Sequence, residues 1–152
     1  MTDTDTTRGD IATALPQKLR AVEQVSPAFY ERVGGAGTVR RIVDDLYAHV
    51  LSDRQLSPYF DGSDLPALKR HMVLILTGVL GGPKGLAVRD LAAAHRGLDI
   101  SGEHYDRVGH VLLGVLWEND AGVDAVLHVA RMLAAVKELL VPRLGDEPAR
   151  SA

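Results

Sequence analysis

Cysteine is absent from the 152 residues. That excludes disulfides, thiolate nucleophiles, zinc knuckles, iron–sulfur clusters and cofactor attachment through Cys-x-x-Cys-His. Any bound metal has to use imidazole, carboxylate or thioether ligands. A basic field is missing as well: the net charge is −3, with both signs spread along the chain, so neither nucleic acid nor an anionic lipid surface is an expected partner. Long apolar runs are missing too. The N-terminal part has nothing longer than Ile11–Leu15, and Met72–Leu80 is interrupted and far short of a bilayer span, so no membrane partner and a cytoplasmic location are expected. No segment alternates with period two, and no internal repeat appears.

Helical periodicity remains, and it predicts a single all-α domain. Residues 1–25 form an N-terminal extension, Thr/Asp-rich at its start and with a weak helical pattern over Leu15–Val25. The domain spans 26–142, and 143–152 is a polar, flexible tail. Ser26-Pro27 opens a short helix that Gly34-Gly35 ends. Thr38 can cap a longer one, in which Val39, Ile42, Val43, Leu46, Tyr47 and Val50 recur at three-and-four spacing. Pro58 and Asp61-Gly62-Ser63 break the pattern, which resumes from Leu65 through Leu68, Met72, Ile75 and Val79 up to Gly81-Gly82-Pro83. A shorter helical piece between Gly85 and Gly97 carries Leu91 and His95 on one side. Ser101 then caps a helix bearing Tyr105, Val108, Leu112 and Leu116. The last helix runs over about 123–140, with Val126, Leu127, Ala130, Leu133 and Ala134 expected inward.

The chain has six histidines, and the pattern puts His71 and His95 on mainly apolar faces. On spacing alone, a lone histidine on such a face reads more readily as a hydrogen-bonded core residue than as a metal ligand. The wider constellation points further. An iron porphyrin needs an apolar slot, one neutral imidazole and aromatic contact, and this chain carries each part on a separate element. Aromatic residues are only 5% of the chain, yet Tyr59-Phe60 stand together just before the second long helix, where a ring could clamp a planar cofactor or simply fill a corner of the core. Other chemistry is weakly supported. Asp44-Asp45 and Asp53 fit a solvated helix face, Gly-x-Ser-x-Gly is absent, and Gly81-Gly82-Pro83-Lys84 lacks the spacing of a phosphate-binding loop.

In this order and spacing the residues resemble the truncated haemoglobins of group I, over about Phe29 to Leu140. Phe29–Gly35 is similar to that family's glycine motif between its first two helices. Leu46-Tyr47, Leu51-Ser52-Asp53 and Tyr59-Phe60 are similar to its B helix and its phenylalanine at the CD corner. Gly81-Gly82-Pro83 matches the glycine pair that ends the E helix, and Leu91–Ser101 puts His95 where the family has its proximal iron ligand. The resemblance implies a two-over-two helical sandwich, with helix pair B/E stacked on G/H, around haem b. On the distal side Leu68 and Met72 stand where family members often carry glutamine, which leaves Tyr47 as the main hydrogen-bond donor to a diatomic ligand. Two placements stay open for His71. It is either a sixth iron ligand, favoured by its register with Leu68 and Ile75, or a rim residue beside a haem propionate, aided by Lys69 or Arg70.

The resemblance therefore implies a haem b protein that binds O₂, NO and CO through His95, Tyr47, Phe60, Leu68 and Met72. Oxidation of NO by O₂ is a plausible activity, and it would need a separate reductase because the chain has no flavin or nicotinamide motif. The alternative is a six-coordinate redox or electron-transfer protein closed by His71. A monomer or weak dimer is expected.

Overall fold

The computed structural model describes residues 28–86 and 100–140. The extension with its weak helical pattern, the segment carrying His95 and the C-terminal tail lie outside the described residues. Five α-helices are described: α1 (Ala28–Val33), α2 (Gly35–Ser52), α3 (Leu65–Val79), α4 (Gly102–Glu118) and α5 (Val123–Leu140), with a 3₁₀ turn at Ser57–Phe60 between α2 and α3. No strand occurs among the described residues.

The local chemistry explains the boundaries. Gly34 sits at φ +114°, and a Cβ there would come within 2.2 Å of the Thr38 hydroxyl. This left-handed residue redirects the chain in one step, so α2 starts at Gly35. Thr38, expected as a cap, is instead buried inside the helix, where its hydroxyl accepts from Arg41 at 3.1 Å. Two later helices do start on side-chain caps. The Asp64 carboxylate accepts from the Ala67 amide at 3.2 Å to start α3, and the Ser101 hydroxyl accepts from the His104 amide at 3.1 Å to start α4, as the spacing predicts.

Helix α2 is the centre of the packing, touching α3 on one side and α4 on the other, while α4 packs on α5. Both pairs run antiparallel. Lys69 of early α3 pairs with Asp44 of α2 at 3.2 Å, and the Tyr30 amide donates to the Leu80 carbonyl at 3.0 Å. Lys137 of late α5 reaches Asp106 of early α4 at 2.8 Å. Exposed ion pairs of this kind are worth only about 0–1 kcal/mol. The stability comes from side chains such as Ile42, Val43, Leu56, Leu80, Leu116 and Val129, all with 0% exposure, each contributing about 1.5–3 kcal/mol on burial.

The inward stripe of α2 is the one its periodicity predicts. That of α5 is not. Ala125, Val129, Met132, Ala135 and Val136 are buried, whereas Leu127 is 48% exposed. Apolar residues occur on most sides of this helix, so two adjacent stripes fit the same pattern, and packing against the neighbouring helices decides between them. The selected stripe also carries His128, which the periodicity does not single out. Its ring stacks on Phe29, with centroids 5.0 Å apart and planes at 13°. Its Nε2 lies 2.8 Å from the Val79 carbonyl at the end of α3. A carbonyl can only accept, so Nε2 carries the proton.

Beyond α3 the chain doubles back along the helix. The Leu86 amide donates to the Leu74 carbonyl at 3.0 Å, and a Cβ on Gly78 would meet the Leu86 carbonyl oxygen at 1.9 Å. Only glycine allows this backbone-to-backbone approach. The described chain resumes at Ile100, on the wall of the cleft considered next.

Candidate haem cleft

Between α2, α3, α4 and α5, beside the 3₁₀ turn, lies a deep cleft. Its cavity is about 220 Å³, or about 1360 Å³ of empty space with the open mouth counted. Ligand sites of roughly 300–1,000 Å³ fall between these two measures. The walls are almost entirely apolar. Leu68, Met72, Ile75 and Val79 come from one face of α3, where residues three and four apart stand in line. Leu46 and Val50 come from α2, Val108 and Leu112 from α4, and Met132 from α5.

Few polar groups enter this space, and their hydrogen bonding differs. Tyr47 projects from the buried face of α2 and is 4% exposed. Its ring meets Phe60 edge-on, with centroids 5.7 Å apart and planes at 79°. Its hydroxyl finds no hydrogen-bond partner among the described residues, and burial pushes its pKa above the ordinary tyrosine value. It therefore stays a neutral donor. Leaving such a group unsatisfied costs about 1–3 kcal/mol.

Tyr105 lines the cleft as well, but its hydroxyl donates to the Leu133 carbonyl at 2.7 Å, and burial raises its pKa further still. Tyr59 is held by His104, with 2.7 Å between the hydroxyl and Nδ1. His71 lines the mouth from α3 and is exposed, with no hydrogen bond among the described residues.

The 3₁₀ turn that carries Tyr59 and Phe60 is anchored from below. The Asp53 carboxylate accepts from the Gln55 amide at 2.8 Å and forms a close ion pair with Arg107 of α4. The Arg107 hydrogen bond, more than any other influence, holds the Asp53 carboxyl below its usual range.

Of the residues that the resemblance assigns to the site, Tyr47, Phe60, Leu68, His71 and Met72 all line this one cleft. His95 lies outside the described residues. Lys69 does not line the cleft; it is paired with Asp44 instead, because it stands about 100° around the helix from Leu68. Sequence reasoning missed the bonds of Tyr59 and Tyr105, whose partners lie far along the chain and leave no local signal. Among the described residues no three His, Asp or Glu side chains gather to hold a bare metal ion. A cofactor that brings its own metal donors suits such walls better.

The profile of the bacterial-like globin family matches residues 28–138. The chain is 31% identical to the group 1 truncated haemoglobin GlbN of Mycolicibacterium paratuberculosis, over 80% of this chain and 86% of that protein. It is 32% identical to the protein of the same description from Synechocystis, over 70% of this chain and 89% of the relative. Among solved structures it resembles the haemoglobin of Chloroflexus aurantiacus, with a TM-score of 0.65 and 30% identity over 76% of this chain and 98% of that one. The truncated haemoglobin of Tetrahymena pyriformis in its Fe(III) form superposes with a TM-score of 0.67 at 23% identity, over 76% of this chain and 98% of the other, a likeness of fold.

Proposed function

Since the chain belongs to the bacterial-like globin family, among the group 1 truncated haemoglobins, we propose that it binds haem b in this cleft and uses it to hold O₂ and related diatomic ligands. The observation that carries this reading is the Tyr47 hydroxyl, buried in an apolar slot with no hydrogen-bond partner among the described residues. An unsatisfied donor in such a place is matched by an acceptor that arrives with a ligand. The walls suit the group: apolar side chains from α3 and α4 line a slot that would take the macrocycle, and the Phe60 ring borders the same space.

When bound, haem b would supply an iron atom able to take up a diatomic molecule. The chain's own residues do the rest. His95 is the proximal ligand by its position in the family motif. Tyr47 donates a hydrogen bond to the ligand, a task Leu68 and Met72 have no group for. The apolar walls exclude water. A neutral tyrosine favours ligands on which negative charge accumulates, O₂ above CO.

The same arrangement supports oxidation of nitric oxide, NO + O₂ + e⁻ → NO₃⁻. The electron would come from a separate reductase, and the chemistry would suit a cytoplasmic protein acting as monomer or weak dimer.

A second reading rests on His71, which lines the cleft with no partner among the described residues. With its imidazole on the iron the protein would be six-coordinate and suited to electron transfer, and an incoming ligand would wait for His71 to leave. CO binding would then level off at high CO concentration, and His71→Leu would abolish the plateau. CO rates linear in concentration for the parent would return His71 to the rim.

Titration of the haem-free protein with haemin tests the main reading. One equivalent should bind, and the ferrous form should take up CO with a sharp Soret shift. A protein that leaves haemin unbound, or binds it without a defined stoichiometry, would overturn it.

A further inference from the structure

Tyr59 and His104 form a coupled pair that the reading above does not use. The Tyr59 hydroxyl lies 2.7 Å from His104 Nδ1, their rings meet edge-on at 5.5 Å and 81°, and the Tyr59 ring lines the cleft. Both residues are only half-buried, so each also reaches towards solvent. All four tyrosines of the chain are described, and three of them line the cleft. Tyr47 has no partner among the described residues. Tyr105 donates to a main-chain carbonyl, which cannot take up a proton. Among the described residues, only Tyr59 is hydrogen-bonded to a side chain that can take up a proton. A phenol loses an electron readily only if its proton can leave at the same time, because the protonated phenoxyl cation is a very strong acid.

Building on the haem reading, we propose that Tyr59 is a redox-active tyrosine that carries electrons from a small one-electron donor at the surface to the haem cleft, where hydrogen peroxide is reduced, with His104 as its proton acceptor. In each event Tyr59 gives up one electron into the cleft and its hydroxyl proton to His104 Nδ1, and becomes a neutral phenoxyl radical. A donor such as ascorbate restores it with one electron, and the proton returns from His104 or solvent. Over two events one peroxide takes up two electrons and two protons and leaves as two waters, while two donor molecules are each oxidised by one electron. The positions of the two side chains fit their tasks. Ser101 caps α4 through the His104 amide, and the Asp53–Arg107 pair ties the Tyr59 segment to the same helix.

The test uses the ferric haem-loaded protein mixed with hydrogen peroxide, frozen and read by electron paramagnetic resonance. The parent should give an organic radical whose signal narrows when the tyrosines are ring-deuterated and decays on addition of ascorbate. Tyr59→Phe keeps the aromatic ring on the cleft wall and should remove that signal while haemin still binds one to one. His104→Gln keeps a hydrogen-bond acceptor but takes no proton. It should slow radical formation about a hundredfold, the scale of a lost positioned proton acceptor. A tyrosyl signal undiminished in Tyr59→Phe, or a radical in His104→Gln that forms as fast as in the parent, would overturn the proposal while the haem reading stands. Failure to bind haemin at all would overturn both.

Discussion

The two ends of the helical sandwich handle polar groups in opposite ways. At the closed end, where α1 and α5 meet the end of α3, the buried imidazole of His128 is stacked on Phe29 and donates to the Val79 carbonyl. At the open end Tyr47 is buried just as deeply, yet its hydroxyl has no partner among the described residues, and His71 stands at the mouth equally unbonded. A satisfied buried polar group fixes a structure, whereas an unsatisfied one in a cleft lowers stability until something else enters. Histidine content alone does not separate the two ends. Satisfaction of the hydrogen bonds does.

Three substitutions set that contrast against experiment. The largest effect is expected at the proposed iron ligand: His95→Ala should abolish stoichiometric haem uptake, and full occupancy with an unchanged ferrous spectrum would remove His95 from that role. Next comes the closed end. His128→Ala deletes a buried ring and leaves the Val79 carbonyl short of a donor, so urea unfolding should lose about 2–4 kcal/mol, while haemin still binds one to one. Loss of haem binding with unchanged stability would reverse the roles assigned to the two ends.

The smallest effect lies at the anchor of the 3₁₀ turn. The folded-state pKa of Asp53 is lowered, first by its hydrogen bond to Arg107. Its contribution is therefore present above the unfolded pKa and is lost as pH falls through the folded one. Asp53→Asn should lower the urea midpoint at neutral pH, and the gap from the parent should close as the pH drops below about 4. A gap independent of pH would mean that packing, not charge, links the turn to α4.

How much of this was legible in the sequence varied with the element. The stripe of α2 was readable because Asp44, Asp45, Arg40 and Arg41 leave one apolar face, and Ser101 announced α4 by its chemistry. Helix α5 was ambiguous because Val126, Leu127 and Leu133 compete with Val129, Met132 and Val136 for the inward side, and only packing decides between them. The start of α2 was hidden by Gly34, whose left-handed turn replaces the side-chain cap that Thr38 seemed to offer. Within the site, family motifs located Tyr47, Phe60, Leu68, His71 and Met72. The bonds from Tyr59 to His104 and from Tyr105 to Leu133 span distant stretches of chain and become visible only in three dimensions. His95 lies outside the described residues, so its role rests on its place in the motif.

The central claim is that the Tyr47 hydroxyl, without a partner among the described residues, is kept for a ligand on the haem, and the O₂ dissociation rate of ferrous Tyr47→Phe beside the parent tests it most directly. A hydrogen bond to a partly charged acceptor is worth about 1.5–3 kcal/mol, so stopped-flow should record O₂ release faster by roughly tenfold to a hundredfold, with stability towards urea unchanged or slightly raised. An O₂ dissociation rate equal to that of the parent would contradict the claim and leave Tyr47 as a packing residue against Phe60.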